Sequence, residues 1–178
     1  MHSWAEQDQP LRLVQQPVAK TDKNPKALAC YGLLVRLREQ AFGEVHEQVW
    51  LRFVDGRPVS PITVQCLEWC CGQLEALGKT ALLLVWDRAP WHISKEVRGW
   101  IQEHNRRVKE GGQGVKLLPC PLPSKSPWLN PIEPKWVHGK RKVAEPDGVL
   151  SAEELERRIC ECFGCSQQDH LSIPEHVA

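Results

Sequence analysis

The spacing of apolar positions changes several times along the 178-residue chain, and each change marks an element. Leu28 to Val35 and Val49 to Val54 are rich in apolar and β-branched residues, the pattern of two strands, antiparallel and joined by a longer connection. Asp55-Gly56 supplies a turn after the second. Ser60 as N-cap and Pro61 as first residue open a helix in which Val64, Leu67, Cys71, Leu74 and Leu77 recur at helical spacing, closed by Gly78. Ala81 to Trp86 has no polar alternation, as expected of a strand covered on both faces in a parallel sheet, and it stops at Asp87. Ser94 caps a helix with the stripe Val97, Trp100, Ile101, His104 and Val108, and Gly111, Gly112 and Gly114 break it before a short strand, Val115 to Leu118. A proline-punctuated loop over 119–127 leads to a helix opened by Asn130-Pro131, and Ser151 with Glu154 forms a capping box for a last helix. The tail beyond Gly164 reads as irregular. Residues 1–27 are polar, with only Leu11 to Val14 strand-like, and form a covering segment. The order strand, strand, helix, strand, helix, strand, helix, helix is that of a mixed sheet with helices packed on it, the α/β class.

Composition is that of an ordinary globular domain, 25% charged and 42% hydrophobic, which argues against a disordered or collagen-like chain. The longest apolar run is far too short to span a bilayer, and Met1 to Asp8 are polar rather than signal-like, so a cytoplasmic location with no membrane partner is expected. Eight Cys, mostly inside apolar segments, read as reduced core thiols. Cys160, Cys162 and Cys165 with His170 do not have the spacing of a zinc finger or ribbon. Trp50, Trp69, Trp86, Trp91 and Trp100 are expected in or near the core, whereas Trp128 and Trp136 are placed to touch a ligand or buttress a loop.

Net charge sharpens this picture because the total of +1 hides a division along the chain. Residues 87–143 carry 12 Lys and Arg against 5 Asp and Glu, residues 144–178 carry 2 against 8, and residues 1–86 are balanced. The basic stretch holds the candidate chemistry. In open α/β sheets reactive groups gather beyond the carboxyl ends of strands, and Asp87 follows the most apolar strand. A carboxylate there can hold Mg²⁺, or it can simply cap a turn. Glu133, in SPWLNPIEPKW over 126–136, is the second candidate, although three residues after Asn130 it can equally fold back on the helix cap. Lys135, His138, Lys140, Arg141 and Lys142 crowd the eight positions 135–142 and suit phosphate contacts.

The runs VWDRAPWH over 85–92 and SPWLNPIEPKW resemble the second and third catalytic blocks of DDE transposases, in the bacterial insertion-sequence group related to the mariner elements. The resemblance covers nearly the whole chain. It implies a ribonuclease H-like fold in which two Asp and one Glu bind two Mg²⁺, with Mn²⁺ able to substitute, and cut and join DNA strands by in-line displacement. Asp87 matches the second acid and Glu133 the third, while His92 and Asn130 shape the site and Lys135, Trp136, His138, Lys140, Arg141 and Lys142 contact DNA. Arg88 stands where the family has Asn, so it either adds a phosphate contact or disturbs the site. The 46-position interval between the acids is longer than usual, and the excess fits a surface extension over 105–114.

The first acid has no counterpart, since Asp8 and Asp22 sit in polar loops and Asp55 in a turn. Residues 3–13 resemble the segment that follows the first strand in relatives. The expectation is therefore a catalytic domain over 28–143 that lacks its first strand and first acid, followed by an acidic helix and tail over 144–178. Such a chain would be a carboxy-terminal transposase part, inactive alone or completed by an upstream fragment. Its partners would be DNA and a second copy in a homodimer, and its place the bacterial cytoplasm, on the nucleoid when DNA-bound. The alternatives are a catalytically dead DNA-binding or self-associating remnant and a structure-specific nuclease on the same fold.

Overall fold

A computed structural model describes residues 2–4, 10–12, 28–38, 43–143 and 150–173. Among the described residues, three strand pairs and four α-helices make up the α/β arrangement that the apolar pattern predicts. Within the expected covering segment, β1 (His2–Trp4) and β2 (Pro10–Arg12) form a short antiparallel hairpin. Leu13 and Val14, and with them Asp8 and Asp22, lie outside the described residues.

Strands β3 (Ala29–Arg38) and β4 (Val45–Val54) pair antiparallel over their full length, with Ala29 opposite Val54 and Arg38 opposite Val45. They are longer than the apolar runs alone suggested, and their connection is correspondingly shorter. Gly56, at φ +92°, makes the expected turn. Helix α1 (Ser60–Ala76) begins one residue earlier than its sequence signal, so Val59 is the cap residue and Ser60 lies inside the first turn. Leu67, Cys71 and Leu74 of its apolar stripe are buried, while Leu77 is half exposed beyond the helix end.

Strand β5 (Ala81–Trp86) pairs in parallel with β6 (Lys116–Pro121), which runs on through two prolines expected in a loop. Between them, α2 (Lys95–Gly111) is capped by Ser94, whose Oγ accepts from Val97 N at 3.1 Å, and ends at Gly112 in the left-handed region. The stretch 105–114, expected as a surface extension, is mostly the exposed last turns of this helix. Asn105 accepts from Leu117 N and donates to Leu117 O, both at 2.8 Å, while the His104 ring nitrogen bonds Val115 O at 2.9 Å. These side chains satisfy the strand backbone on the edge away from β5. The expectation that β5 is covered on both faces fails: Leu83 is 64% exposed and Val85 42%. Only the alternate residues Leu82, Leu84 and Trp86 pack against the helices.

Helices α3 (Glu133–Val143) and α4 (Ala152–Phe163) close the other side of β3 and β4, through Trp136, Ile159, Cys160 and Phe163. Ser151 caps α4 by accepting from Glu154 N at 3.1 Å, but the Glu154 carboxylate pairs with Arg157 and Arg158 rather than completing a capping box. The tail is less irregular than expected, because Leu171 bridges in parallel to Val54. Asp55 N donates to Leu171 O and Leu171 N to Phe53 O, each at 2.8 Å. His170 beside it bonds Asp55 at 2.6 Å and Glu156 at 2.8 Å. That histidine is therefore engaged by carboxylates, not cysteines. All eight thiols are free, and burial pushes Cys30 and Cys160 up to about 12, which leaves both as protonated core groups.

Candidate active site

Asp87 stands one residue past β5, at the carboxyl end of the parallel pair. Its Oδ1 accepts from Ala89 N at 3.0 Å and meets His92 Nδ1 at 2.7 Å. His92 is held by rings on three sides. It stacks on Trp86 at 4.9 Å and 6°, and approaches Trp91 and Tyr31 at 5.9 and 6.0 Å. The histidine side chain is 17% exposed and the Asp87 side chain 58%, so a fixed imidazole orients a carboxylate that remains open to solvent. Arg88 is exposed and makes no ion pair among the described residues.

Glu133 lines the same cavity as Asp87 from another element. The expected helix start at Asn130-Pro131 is displaced: a single 3₁₀ turn over Pro127–Leu129 comes first, and α3 begins at Glu133 itself. Asn130 accepts from Glu133 N through its backbone oxygen at 3.1 Å, so no capping box forms. The Glu133 carboxylate has no hydrogen-bond or ion-pair partner among the described residues, which sets aside the reading of Glu133 as a cap. Asp87, His92, Asn130, Glu133 and Trp136 all line one cavity of about 960 Å³.

The basic residues divide. His138, Lys140, Arg141 and Lys142 are exposed on α3, and Lys140, seven residues after Glu133, lies on the same helix stripe. Their position in the last turns also suits the negative end of the helix. Lys135 pairs with Glu47 at 2.7 Å. Trp136, expected to touch DNA or to buttress, packs as a buttress while also lining the cavity. It meets Phe163 edge-on at 5.4 Å and lies against Gly32, where an added Cβ would stand 2.1 Å from Cζ2. Trp128, 76% exposed, keeps the surface position expected for a ligand contact.

Sequence reasoning missed Tyr31 and Gly32. Tyr31 faces His92 and bonds Thr63 Oγ1 at 2.7 Å, and burial raises its phenol to about 12. A glycine inside an otherwise apolar strand was the available signal, since such a residue marks a close approach by another group.

An α/β domain that brings two acids to one cavity beside a cationic helix has the makings of a metal-dependent nuclease. A sequence model of the DDE superfamily endonuclease family matches residues 4–156, and the chain belongs to that family. No curated protein matches it. Membership implies a nuclease-type activity on DNA with divalent-metal use. Among the described residues no group of three or more His, Cys, Asp or Glu is placed to hold a metal, and no helix is long and apolar enough to cross a membrane.

Proposed function

We propose that the chain is the carboxy-terminal catalytic part of a DDE transposase, of the bacterial insertion-sequence group related to the mariner elements, acting on DNA with Mg²⁺ or Mn²⁺. The observation that carries this reading is that Asp87 and Glu133 line one cavity, Asp87 with its Oδ2 and Glu133 with both oxygens uncommitted among the described residues. That donor set fits a hard cation, which takes one or two carboxylates and leaves its other positions to water and phosphate. The chemistry the cation would supply is Lewis-acid assistance to in-line displacement at phosphorus. His92 would hold Asp87 in the orientation that presents its second oxygen, and Asn130 would set the path of the chain into Glu133. Arg88 would meet a nearby phosphate. His138, Lys140, Arg141 and Lys142 would neutralise the DNA backbone along α3, with Lys135 contributing once released from Glu47. Trp136 serves by packing. In this reading residues 28–143 are the catalytic domain and 144–178 an acidic helix and tail. The protein would work in the bacterial cytoplasm, on the nucleoid, as a homodimer or with an upstream fragment.

A second reading is a catalytically dead DNA-binding or self-associating remnant. The described residues favour it by bringing two carboxylates to the cavity where the family's chemistry takes three; Asp55 is occupied by His170. A nicking assay with Mg²⁺ or Mn²⁺ separates the readings. Metal-dependent nicking abolished by Asp87→Asn supports an enzyme complete enough to act. Absence of nicking, with salt-sensitive DNA binding retained, supports the remnant.

A further inference from the structure

Two cations from different elements converge on one carboxylate at the surface beside α3. Arg36 of β3 stands directly opposite Glu47 of β4 in the strand register, and its Nε donates to Glu47 Oε2 at 3.0 Å. Lys135, in the first turn of α3, reaches the other oxygen, Oε1, at 2.7 Å. The contacts with Lys135 and Arg36 hold the Glu47 carboxyl below its ordinary value. Arg36 and Glu47 are exposed and Lys135 is half-buried, so solutes reach all three.

Exposed ion pairs add little to stability, and α3 has apolar anchors besides this one, Trp136 against Gly32 and Phe163. The charge arrangement is more telling. Two positive groups and one negative leave the cluster with a net positive charge, and the cluster opens a basic line. Lys135, His138 and Lys142 recur at i, i+3 and i+7 on one stripe of α3, about 10 Å long. His138 and Lys142 are exposed. Lys135 follows Glu133 by two residues, which puts the stripe about 200° round the helix from that acid. It therefore faces away from the carboxylates that line the cavity.

We propose that Arg36 and Lys135 form a clamp for a DNA backbone phosphate outside the cavity, and that Glu47 occupies the clamp as an internal stand-in which the phosphate displaces. A phosphodiester matches the carboxylate it replaces, with one negative charge and two outer oxygens, one for each cation. Glu47 then turns to solvent, and neighbouring phosphates follow the stripe to His138 and Lys142. The contact is autoinhibitory: it holds DNA affinity below what the cations alone would give. This inference rests on the DNA reading above, and it involves neither the metal nor the acids of the cavity.

The test follows binding of a short fluorescent duplex to the full chain by anisotropy, over a range of salt concentrations. Glu47→Gln keeps the side-chain shape and removes the competing charge. It is expected to tighten binding about five- to tenfold near 0.1 M salt and to steepen the slope of log K against log salt by about 0.9. Glu103→Gln is the control, because Glu103 also sits between two cations, Arg106 at 2.7 Å and Arg107 at 3.9 Å, but within α2. It changes net charge equally and is expected to shift affinity by less than about twofold, since screening leaves only local charge effective. Replacing Arg36 and Lys135 together by Gln should weaken binding and abolish the gain from Glu47→Gln. In the wild-type chain, DNA should slow chemical acetylation of Lys135, a readout that stands even where a variant fails to fold. The proposal is overturned by equal gains from Glu47→Gln and Glu103→Gln, by a gain that survives loss of Arg36 and Lys135, or by weaker binding of a folded Glu47→Gln. Acetylation of Lys135 indifferent to DNA overturns it too. DNA binding that needs Lys140, Arg141 and Lys142 but ignores Glu47 removes this inference and leaves the DNA reading standing; no binding by any of these proteins removes both.

Discussion

Replacing Gly32 with Ala tests how the strand pair positions the helix that carries Glu133. The added methyl would lie 2.1 Å from Trp136 Cζ2 and 2.9 Å from Cη2. Carbon atoms pack best at about 3.5–4.0 Å, so the indole must move by roughly 1.5 Å. It has little freedom to do so, because Phe163 meets the ring edge-on at 5.4 Å. Phe163 in turn fills the space above Gly139, where an added Cβ would come within 2.7 Å of it. Overpacking of this kind costs about 1–3 kcal/mol, and the lower chain entropy of Ala in a strand offsets about 0.5–1 kcal/mol. The net expectation is a loss of order 1–2 kcal/mol, or a Tm lower by about 2–8 °C in a domain of this size. Urea unfolding read by tryptophan fluorescence measures it, with Trp136→Leu as the second arm of a double-mutant cycle. In the Trp136→Leu background, Gly32→Ala should become neutral or stabilising. Equal stability of Gly32→Ala and the wild type in the original background would refute the idea that this contact sets the position of α3.

Other expectations follow from the same contacts. Ser94→Ala removes the cap of α2 and should cost about 1 kcal/mol by denaturant midpoint, whereas an unchanged midpoint would mean that the cap is idle. The Asp55 and Glu156 carboxylates raise His170 above its ordinary value of 6.5. The stability it adds over His170→Gln is therefore full below about pH 6.5 and is lost as pH climbs through the raised native value. Urea midpoints of the two proteins at pH 6 and pH 9 should differ more at the lower pH, and a constant gap would show that charge plays no part. For DNA, replacing Lys140, Arg141 and Lys142 by Ala should weaken binding and flatten the slope of log K against log salt by roughly 2–3. An unchanged slope would exclude these residues from phosphate contact.

Much of this protein was legible in one dimension, and the failures are instructive. The strands read at 28–35 and 49–54, which prove longer in the fold, the stripe of α2 and the Ser94 cap follow from local period and local hydrogen bonding, which neighbouring residues dictate. The helix at Asn130-Pro131 failed because Pro127 favours a 3₁₀ turn first, which delays the helix to Glu133 and frees its carboxylate. The stretch 105–114 reads as a surface extension from the length of the interval between the acids, and most of it is exposed on the last turns of α2. What the sequence did not show is that the Asn105 amide bonds the backbone of β6, a partner twelve residues away that no local pattern announces.

By itself the sequence determined the α/β class, the division of charge, and the two acids with their motif neighbours, since these depend on residue identity and short-range spacing. Tertiary structure alone decided that Trp136 faces Gly32, that β5 keeps one face bare, and that β3 and β5 line one cavity. The reason is physical: a strand's edge bonds through backbone groups that every residue carries alike. Side-chain pattern therefore reports which face is buried and is silent on which edge pairs with which.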